Sequence, residues 1–286
     1  MRHTTVVRRR VWCETLAYDE LDGGSLGALL QRRRIDLLLA VRPWQLAAVG
    51  EIVRRFQAAG VFVALWPMLA DGDGRWASAA THLPFIAFTD ELLGRVPFAD
   101  EVVIDLEPPI GNLARWKAGR PSWRPSPHPY QRARGALAAA VDRWRATHRI
   151  TTAVLPLLAL ELRGQWLQRA LGTPASALAV DRHSVMAYTS LFEGWSRGLV
   201  DRRRAEALLA ACARLTRRRF GDRAAVSLGT VGPGAFGDEP SYRTAGELAR
   251  DVAIARGAGI EEISLFDLGG IVRRPPIEPW LDALCA

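Results

Sequence analysis

The sequence predicts an α/β protein in which parallel strands alternate with helices and close into one barrel. Short apolar runs rich in β-branched residues recur along the chain, and helical stretches separate them. Strands that alternate with helices form right-handed β-α-β units and therefore a parallel sheet. Eight such units within 286 residues match the size of a (β/α)8 TIM barrel. We therefore expect residues 1–286 to form a single barrel domain.

Each predicted strand is an apolar run bounded by turn or polar residues. The predicted strands are Val6–Thr15, Ile35–Arg42, Val61–Met68, Glu101–Pro109, Ile150–Leu158, His183–Leu191, Ala224–Val231 and Glu262–Leu268. The helical stretches are 24–33, 43–59, a stretch that ends near 93, 131–147, 160–171, 200–220, 244–257 and 278–285. An open doubly wound sheet is the alternative, but it would need a glycine-rich phosphate loop after the first strand, and residues 13–18 are not one.

The segment 108–130 interrupts this alternation. It is rich in proline, arginine and tryptophan and shows no helical period. Loops of this length without regular structure are usually functional or disordered. The sequence therefore predicts a long loop after strand 4, which carries Trp116 and Trp123.

The charge balance is basic, with a net charge of +8, and nearly all of it comes from arginine. The arginines are spread along the predicted helices, and no zinc finger or lysine-rich tail accompanies them. We therefore expect solvated helix faces and no nucleic-acid partner. No run of eighteen apolar residues is present, so no membrane span is expected.

The cysteines and the first residues bear on the compartment. Cys13, Cys212 and Cys285 are odd in number and far apart, which is typical of reduced thiols and not of a metal site. Residues 1–10 contain no apolar segment of the kind that a secretory signal has. The expectation is a cytoplasmic protein; the pattern indicates no oligomeric state.

The predicted strand Glu101–Pro109 carries the clearest candidate for chemistry. Asp105 and Glu107 lie two residues apart, so they point to the same side of the strand. Pro108 and Pro109 cannot donate to a strand ladder, so the strand ends beside the two acids. In a barrel the chemistry lies at the carboxyl ends of the strands. An acid pair of this kind can also cap a helix or bind an arginine, and that interpretation stays open here.

The other strand ends supply further polar and aromatic side chains. Carboxylates accept hydrogen bonds from sugar hydroxyls, and aromatic rings stack on sugar C–H faces, so this combination predicts a carbohydrate or glycoconjugate substrate. Histidine is nearly absent from these positions, so we expect no histidine-rich metal centre, no Ser-His-Asp triad and no cofactor. The expected substrate-binding residues are Glu14, Arg42, Trp66 and Asp267 at strand ends, with Trp116 and Trp123 in the long loop.

Glycoside cleavage requires a carboxylic acid that protonates the leaving oxygen and a second group that supports the developing positive charge. Two neighbouring carboxylates resist ionising together, which raises the pKa of one of them. Glu107 lies nearer the end of the strand and Asp105 lies deeper. We therefore assign Glu107 as the general acid/base and Asp105 as its electrostatic and orienting partner.

These residues resemble a known family. Asp105-Leu-Glu107 at the end of a fourth barrel strand is similar to the end of the DxxDxDxE motif of glycoside hydrolase family 18, with Asp100 at its first acidic position. Met186-Ala187-Tyr188 resembles the Met-x-Tyr segment of that family. The resemblance implies that Glu107 is the acid, that Asp105 orients a substrate N-acetyl group acting as nucleophile, and that Tyr188 supports this group.

The sequence also departs from the family pattern. Val103 replaces the middle Asp of the motif and Glu101 its glycine. Thr189 stands where an Asp usually follows the Tyr, and strand 8 offers Phe266 and Asp267 in place of a Trp. Two other functions therefore stay open at this point. One is a lyase or isomerase that holds Mg²⁺ or Mn²⁺ with carboxylates, and the other is a non-catalytic sugar- or protein-binding barrel.

Overall fold

The computed structural model describes residues 7–120, 127–161 and 165–286. Its eight strands form a closed barrel in the order of the chain, from β1 to β8. The prediction of a (β/α)8 barrel is therefore confirmed. The strands are β1 (Arg8–Cys13), β2 (Ile35–Val41), β3 (Val63–Pro67), β4 (Glu101–Leu106), β5 (Arg149–Val154), β6 (Arg182–Met186), β7 (Ala224–Gly229) and β8 (Glu262–Phe266).

Helices follow the strands, and several connections hold more than one. Short 3-10 helices lie at 43–45, 71–73, 156–160, 175–177 and 221–223. Within the described ranges the α-helices are α1 (Ser25–Arg32), α2 (Val49–Ala58), α3 (His82–Arg95), α4 (Ile110–Lys117), α5 (Pro127–Trp144), α6 (Trp166–Leu171), α7 (Thr189–Gly194), α8 (Arg202–Phe220), α9 (Ala245–Gly257), α10 (Leu268–Val272) and α11 (Glu278–Cys285).

The first part of the segment after β4 is helical, contrary to the prediction. Helix α4 occupies residues 110–117, so the expectation of an unstructured stretch is wrong there. Its half-buried residues Ile110, Leu113 and Trp116 recur every three residues, which is the spacing of one helix face. The period escaped detection because prolines and arginines surround this short helix. Trp123 lies outside the described residues.

The predicted strand 183–191 is also too long. Strand β6 ends at Met186, and α7 begins at Thr189. An apolar run by itself does not distinguish a buried strand from the start of a buried helix, so the boundary could not be read from the pattern. Tyr188 is consequently the residue that precedes a helix, and not a residue within a strand.

The chain divides into two compact units. Unit 1 comprises residues 1–39, 54–63 and 184–286, and unit 2 comprises residues 40–53 and 64–183. A single domain over residues 1–286 stays a prediction. No helix in the described ranges has both the length and the apolar character needed to cross a membrane.

The strands of unit 1 carry polar side chains on one face. The Arg10 guanidinium forms a buried ion pair with Glu262 at 2.9 Å. One level further along β1, the Trp12 indole N–H donates to Ser227 Oγ at 2.8 Å and to Ser264 Oγ at 3.0 Å. Buried polar groups are stable when they are hydrogen-bonded in this way. Trp12 is therefore an internal residue and does not lie on an exposed surface.

The loops after β7 and β8 approach each other closely at glycines. A Cβ on Gly270 would lie 1.1 Å from the Val231 carbonyl oxygen, and a Cβ on Gly232 would lie 2.8 Å from the α-carbon of Gly270. Neither position leaves room for a side chain. Glycine at position 270 is therefore a packing requirement of unit 1.

We expect Gly270→Ala to lower the free energy of unfolding by about 3 kcal/mol or more, because the added methyl overlaps main-chain atoms. The matched control is Gly94→Ala on α3, where a Cβ meets nothing within 4 Å. That change should raise stability by about 0.5–1 kcal/mol. Urea unfolding of both variants measures the two changes in unfolding free energy. Equal effects at the two positions would contradict the packing argument.

Candidate active site

The two strand-4 carboxylates lie at the carboxyl end of β4. Asp105 is 2% exposed and Glu107 is 7% exposed. Burial of a carboxylate is costly unless polar groups surround it, so proteins keep such groups where they serve structure or chemistry. Along β4, Asp105 pairs with Ala153 and Val103 with Thr151 on β5. Small and polar neighbours therefore flank the deeper acid on this side.

The loop after β3 packs against the end of β4. The Ala77 N–H donates to the Asp105 carbonyl at 2.9 Å, and the Ile110 N–H donates to the Gly74 carbonyl at 3.3 Å. Gly74 has φ +99°, and a Cβ there would meet Thr81 Cγ2 at 2.6 Å. Residues 74–77 are therefore held against the strand that carries both acids.

Arg42 follows β2 and is tied to the same loop. Its Nη1 donates to the Leu69 carbonyl at 2.6 Å and to Asp71 Oδ1 at 3.0 Å. Arg75 donates two hydrogen bonds to Asp71, from Nε to Oδ1 and from Nη2 to Oδ2, both at 2.8 Å. The hydrogen bond from Arg75, with the charges of Arg75 and Arg42, holds the pKa of Asp71 below its usual value against the effect of burial. Two guanidinium groups therefore share the Asp71 carboxylate.

The aromatic residues of unit 2 differ in exposure. Trp66, within β3, is almost fully buried, and Trp116 on α4 is half-buried. Trp44 is 69% exposed and lies under the Arg42 guanidinium, with 5.8 Å from Cζ to the ring. Trp76 is buried beside Arg75. Trp44 is therefore the most exposed of these four tryptophans, and it was not among the expected substrate-binding residues.

In unit 1, Tyr188 lies in a slot between the ends of β7 and β8. Its ring stacks on Phe266 with centroids 6.0 Å apart and planes 20° apart. A Cβ on Gly229 would lie 3.1 Å from Tyr188 Cδ1, so glycine makes room for the ring. The Tyr188 hydroxyl lies 3.3 Å from Ser227 Oγ, which also accepts from the Trp12 indole. The slot residues were missed because they lie far from Tyr188 in sequence.

The Asp267 carboxylate accepts hydrogen bonds from two main-chain N–H groups and one hydroxyl. Its Oδ1 accepts from the Gly270 N–H at 2.9 Å, and its Oδ2 accepts from the Thr15 N–H at 3.1 Å and hydroxyl at 2.7 Å. It therefore caps α10 and joins the loops after β8 and β1. Glu14, the neighbour of Thr15, is half-buried. A substrate-binding role for Asp267 and Glu14 stays a prediction.

The residues described in the structure contain no group of three or more His, Cys, Asp or Glu side chains that could hold a metal ion.

The fold is shared with carbohydrate-active barrels. It is similar to the glycoside hydrolase domain of PgaB (BpsB) from Bordetella bronchiseptica, with a TM-score of 0.58, 13% identity, and coverage of 98% of this chain and 99% of that one. It is also similar to the catalytic domain of a family GH18 chitinase from the fern Peteris ryukyuensis, with a TM-score of 0.57, 11% identity, and coverage of 96% and 97%.

A third similar structure is ZgEngAGH5_4 in complex with a cellotriose, with a TM-score of 0.56, 15% identity, and coverage of 99% of this chain and 96% of that one. No protein-family model and no curated protein sequence matches this chain. At such low identities the similarity establishes the fold alone. The predicted likeness to family 18 barrels is thus confirmed at the level of the fold.

The Asp71 cluster predicts a stability difference that depends on pH. Because its pKa is lowered in the folded protein, Asp71 stabilises the fold above its ordinary pKa of 3.8, and this stabilisation is lost as the pH falls through the lower folded value. Asp71 is 56% exposed, so solvent screening keeps the effect small. Asp71→Asn should lower stability by up to about 1 kcal/mol at neutral pH, and the difference should shrink as the pH falls below the ordinary pKa of 3.8. Urea unfolding at neutral and at acidic pH measures it; an unchanged difference at low pH would contradict the ion-pair explanation.

Two buried tryptophans give a matched test of hydrogen bonding. The Trp12 N–H has two serine acceptors, whereas the Trp76 N–H is buried with no acceptor among the described residues. Trp→Phe removes a similar volume at both positions. We expect Trp12→Phe to be the more destabilising by about 1–2 kcal/mol, because it strips a donor from two buried hydroxyls. Thermal unfolding of both variants compares them, and a larger loss at position 76 would refute the argument.

Proposed function

We propose that this protein is a carbohydrate-active enzyme that cleaves glycosidic bonds with Glu107 as its general acid/base. The observation that carries the proposal is the buried Asp105-x-Glu107 pair at the carboxyl end of β4 in a closed parallel barrel. The carboxyl ends of the strands are where barrel enzymes hold their catalytic groups. The similarity of the fold to glycoside hydrolase barrels supports the same class.

In the proposed reaction Glu107 protonates the glycosidic oxygen as the bond to the leaving sugar breaks. Asp105 comes two residues earlier, on β4, and in this proposal its charge supports the positive charge that develops on the sugar ring. By resemblance to family 18, Asp105 orients an N-acetyl group of the substrate, and the oxygen of this group attacks the sugar carbon. Tyr188 then donates a hydrogen bond to that group.

The loop after β3 supports a sugar-binding role for the surroundings of the acids. It joins the main chain of Asp105 to the cluster of Arg42, Asp71 and Arg75. Guanidinium donors suit sugar hydroxyls, and the exposed Trp44 ring suits a sugar face. The further proposed substrate-binding residues are Glu14 and Asp267 for hydroxyl groups, and Trp66, Trp116 and Trp123 for stacking.

Replacement of the acid tests the proposal. Glu107→Gln should lower kcat by about 100-fold or more, since the amide keeps the shape of the side chain but cannot supply the proton. The substrates are a chitotetraose and a cellotriose, with released sugars measured by chromatography. Turnover of the chitotetraose alone would favour the N-acetyl group as nucleophile, because cellotriose lacks one.

Glu91→Gln is the matched control. Glu91 lies on α3, half-exposed, and pairs with Arg95 at 2.9 Å, so its replacement should leave kcat unchanged. A loss below about threefold in Glu107→Gln would exclude Glu107 as the general acid. Binding of either sugar by a wild-type protein that turns over neither would favour the non-catalytic sugar-binding barrel instead.

A further inference from the structure

A buried polar network lies directly behind Tyr188. The Thr189 hydroxyl donates to Asp251 Oδ2, and the Tyr242 hydroxyl donates to the same oxygen at 2.7 Å. Arg202 forms an ion pair with the other Asp251 oxygen through Nη2, and its Nη1 donates to Thr189 Oγ1 at 2.9 Å. Asp251, Thr189 and Tyr242 are buried. The network thus ties the start of α7 to α8 and α9.

The outer members of the network hold its arginine in place. Arg202 Nε donates to Glu206 Oε1 at 2.9 Å, and Glu206 also accepts from Arg250 at 3.0 Å. Arg202 Nη2 additionally donates to the Glu247 carbonyl at 3.0 Å. Burial raises the pKa of Asp251, while the hydrogen bonds from Thr189 and Tyr242 and the charge of Arg202 oppose that rise. A buried charge with so many directed partners restrains the geometry of the groups that it contacts.

The restraint reaches Tyr188 through one peptide bond. Tyr188 is the residue before α7, and its carbonyl accepts the first helical hydrogen bonds, from Leu191 and Phe192, both at 3.1 Å. Asp251 therefore fixes the position of Thr189, and the Tyr188 ring lies in its slot between Gly229 and Phe266. The Tyr188 hydroxyl ends beside Ser227 Oγ. Main chain, ring and hydroxyl are thus each restrained by a different part of unit 1.

We propose that Thr189 and Asp251 are positioning residues, which hold Tyr188 in the orientation that the proposed glycoside cleavage requires; the inference rests on that proposed function. Thr189 occupies the place where the family pattern has an aspartate after the tyrosine. In this chain the Thr189 hydroxyl binds the carboxylate of Asp251 on α9, 62 residues further along, and Thr189 follows Tyr188 directly in the chain. Neither residue contacts the sugar in this scheme.

Hydrogen exchange tests the restraint without reference to activity. Thr189→Val removes the hydroxyl at nearly constant shape. Asp251 still pairs with Arg202 and accepts the hydrogen bond from Tyr242, so the variant retains the buried ion pair. The amides of Leu191 and Phe192 should exchange about tenfold faster, since the carbonyl that they bind is released. The control is Thr89→Val on α3, where a buried threonine hydroxyl donates only to the Phe85 carbonyl, at 2.8 Å.

A double-mutant cycle tests the consequence for catalysis. A small displacement of Tyr188 should lower kcat by roughly 10- to 100-fold in Thr189→Val and leave KM within a factor of a few. In the Tyr188→Phe background the same change should have little further effect, because the residue through which it acts has lost its hydroxyl. A purely structural role of Thr189 would instead reduce activity by the same factor in both backgrounds.

The outcomes separate this inference from the proposed function. Faster exchange at Leu191 and Phe192 in Thr189→Val but not in Thr89→Val, together with non-additive kinetics, supports the positioning role. Unchanged exchange at these amides overturns it, whatever the activity. Additive kinetics overturn it as well. If the wild-type protein cleaves neither sugar, the proposed function fails, and the exchange measurement alone decides whether Asp251 and Thr189 hold Tyr188.

Discussion

Pairing of β1 with β2 on one side and with β8 on the other closes the sheet, and the rest of the structure depends on this closure. A closed sheet has no free edge, so each strand can only alternate between an inner side and a side that faces the helices. On β1 this alternation places Arg10 and Trp12 on one side, where Arg10 pairs with Glu262 and Trp12 donates to Ser227 and Ser264. Polar side chains can be buried there because neighbouring strands supply their hydrogen-bond partners.

The same constraint explains why the candidate site residues also serve the structure. Side chains at the ends of the strands lie where connecting loops must be anchored. Asp267 caps α10 and binds the main chain of Thr15, and Arg42 binds the loop after β3. Asp105 holds that loop through its main-chain carbonyl, whereas the proposed catalytic role belongs to its side chain. The anchoring role and the proposed catalytic role therefore fall to different atoms of the same strand end.

Local patterns predicted the strands well and the connections poorly. Apolar runs of β-branched residues located all eight strands, because burial on both sides of a parallel strand leaves a continuous apolar signature. The same signature extended the strand before Tyr188 too far, since the first turn of α7 is buried as well. Helix α4 was missed for the opposite reason, because none of its residues is fully buried and its apolar face is only three residues long.

The alternation of side chains along a strand is a local property, so the sequence by itself determined the barrel and predicted a common direction for Asp105 and Glu107. It also determined which residue types end each strand. The partners of those residues were decided by the tertiary structure. Trp12 meets Ser227 across 215 residues, and Thr189 meets Asp251 across 62. No period or spacing in the chain encodes such contacts, because they arise only when the closed sheet brings distant strands and helices side by side.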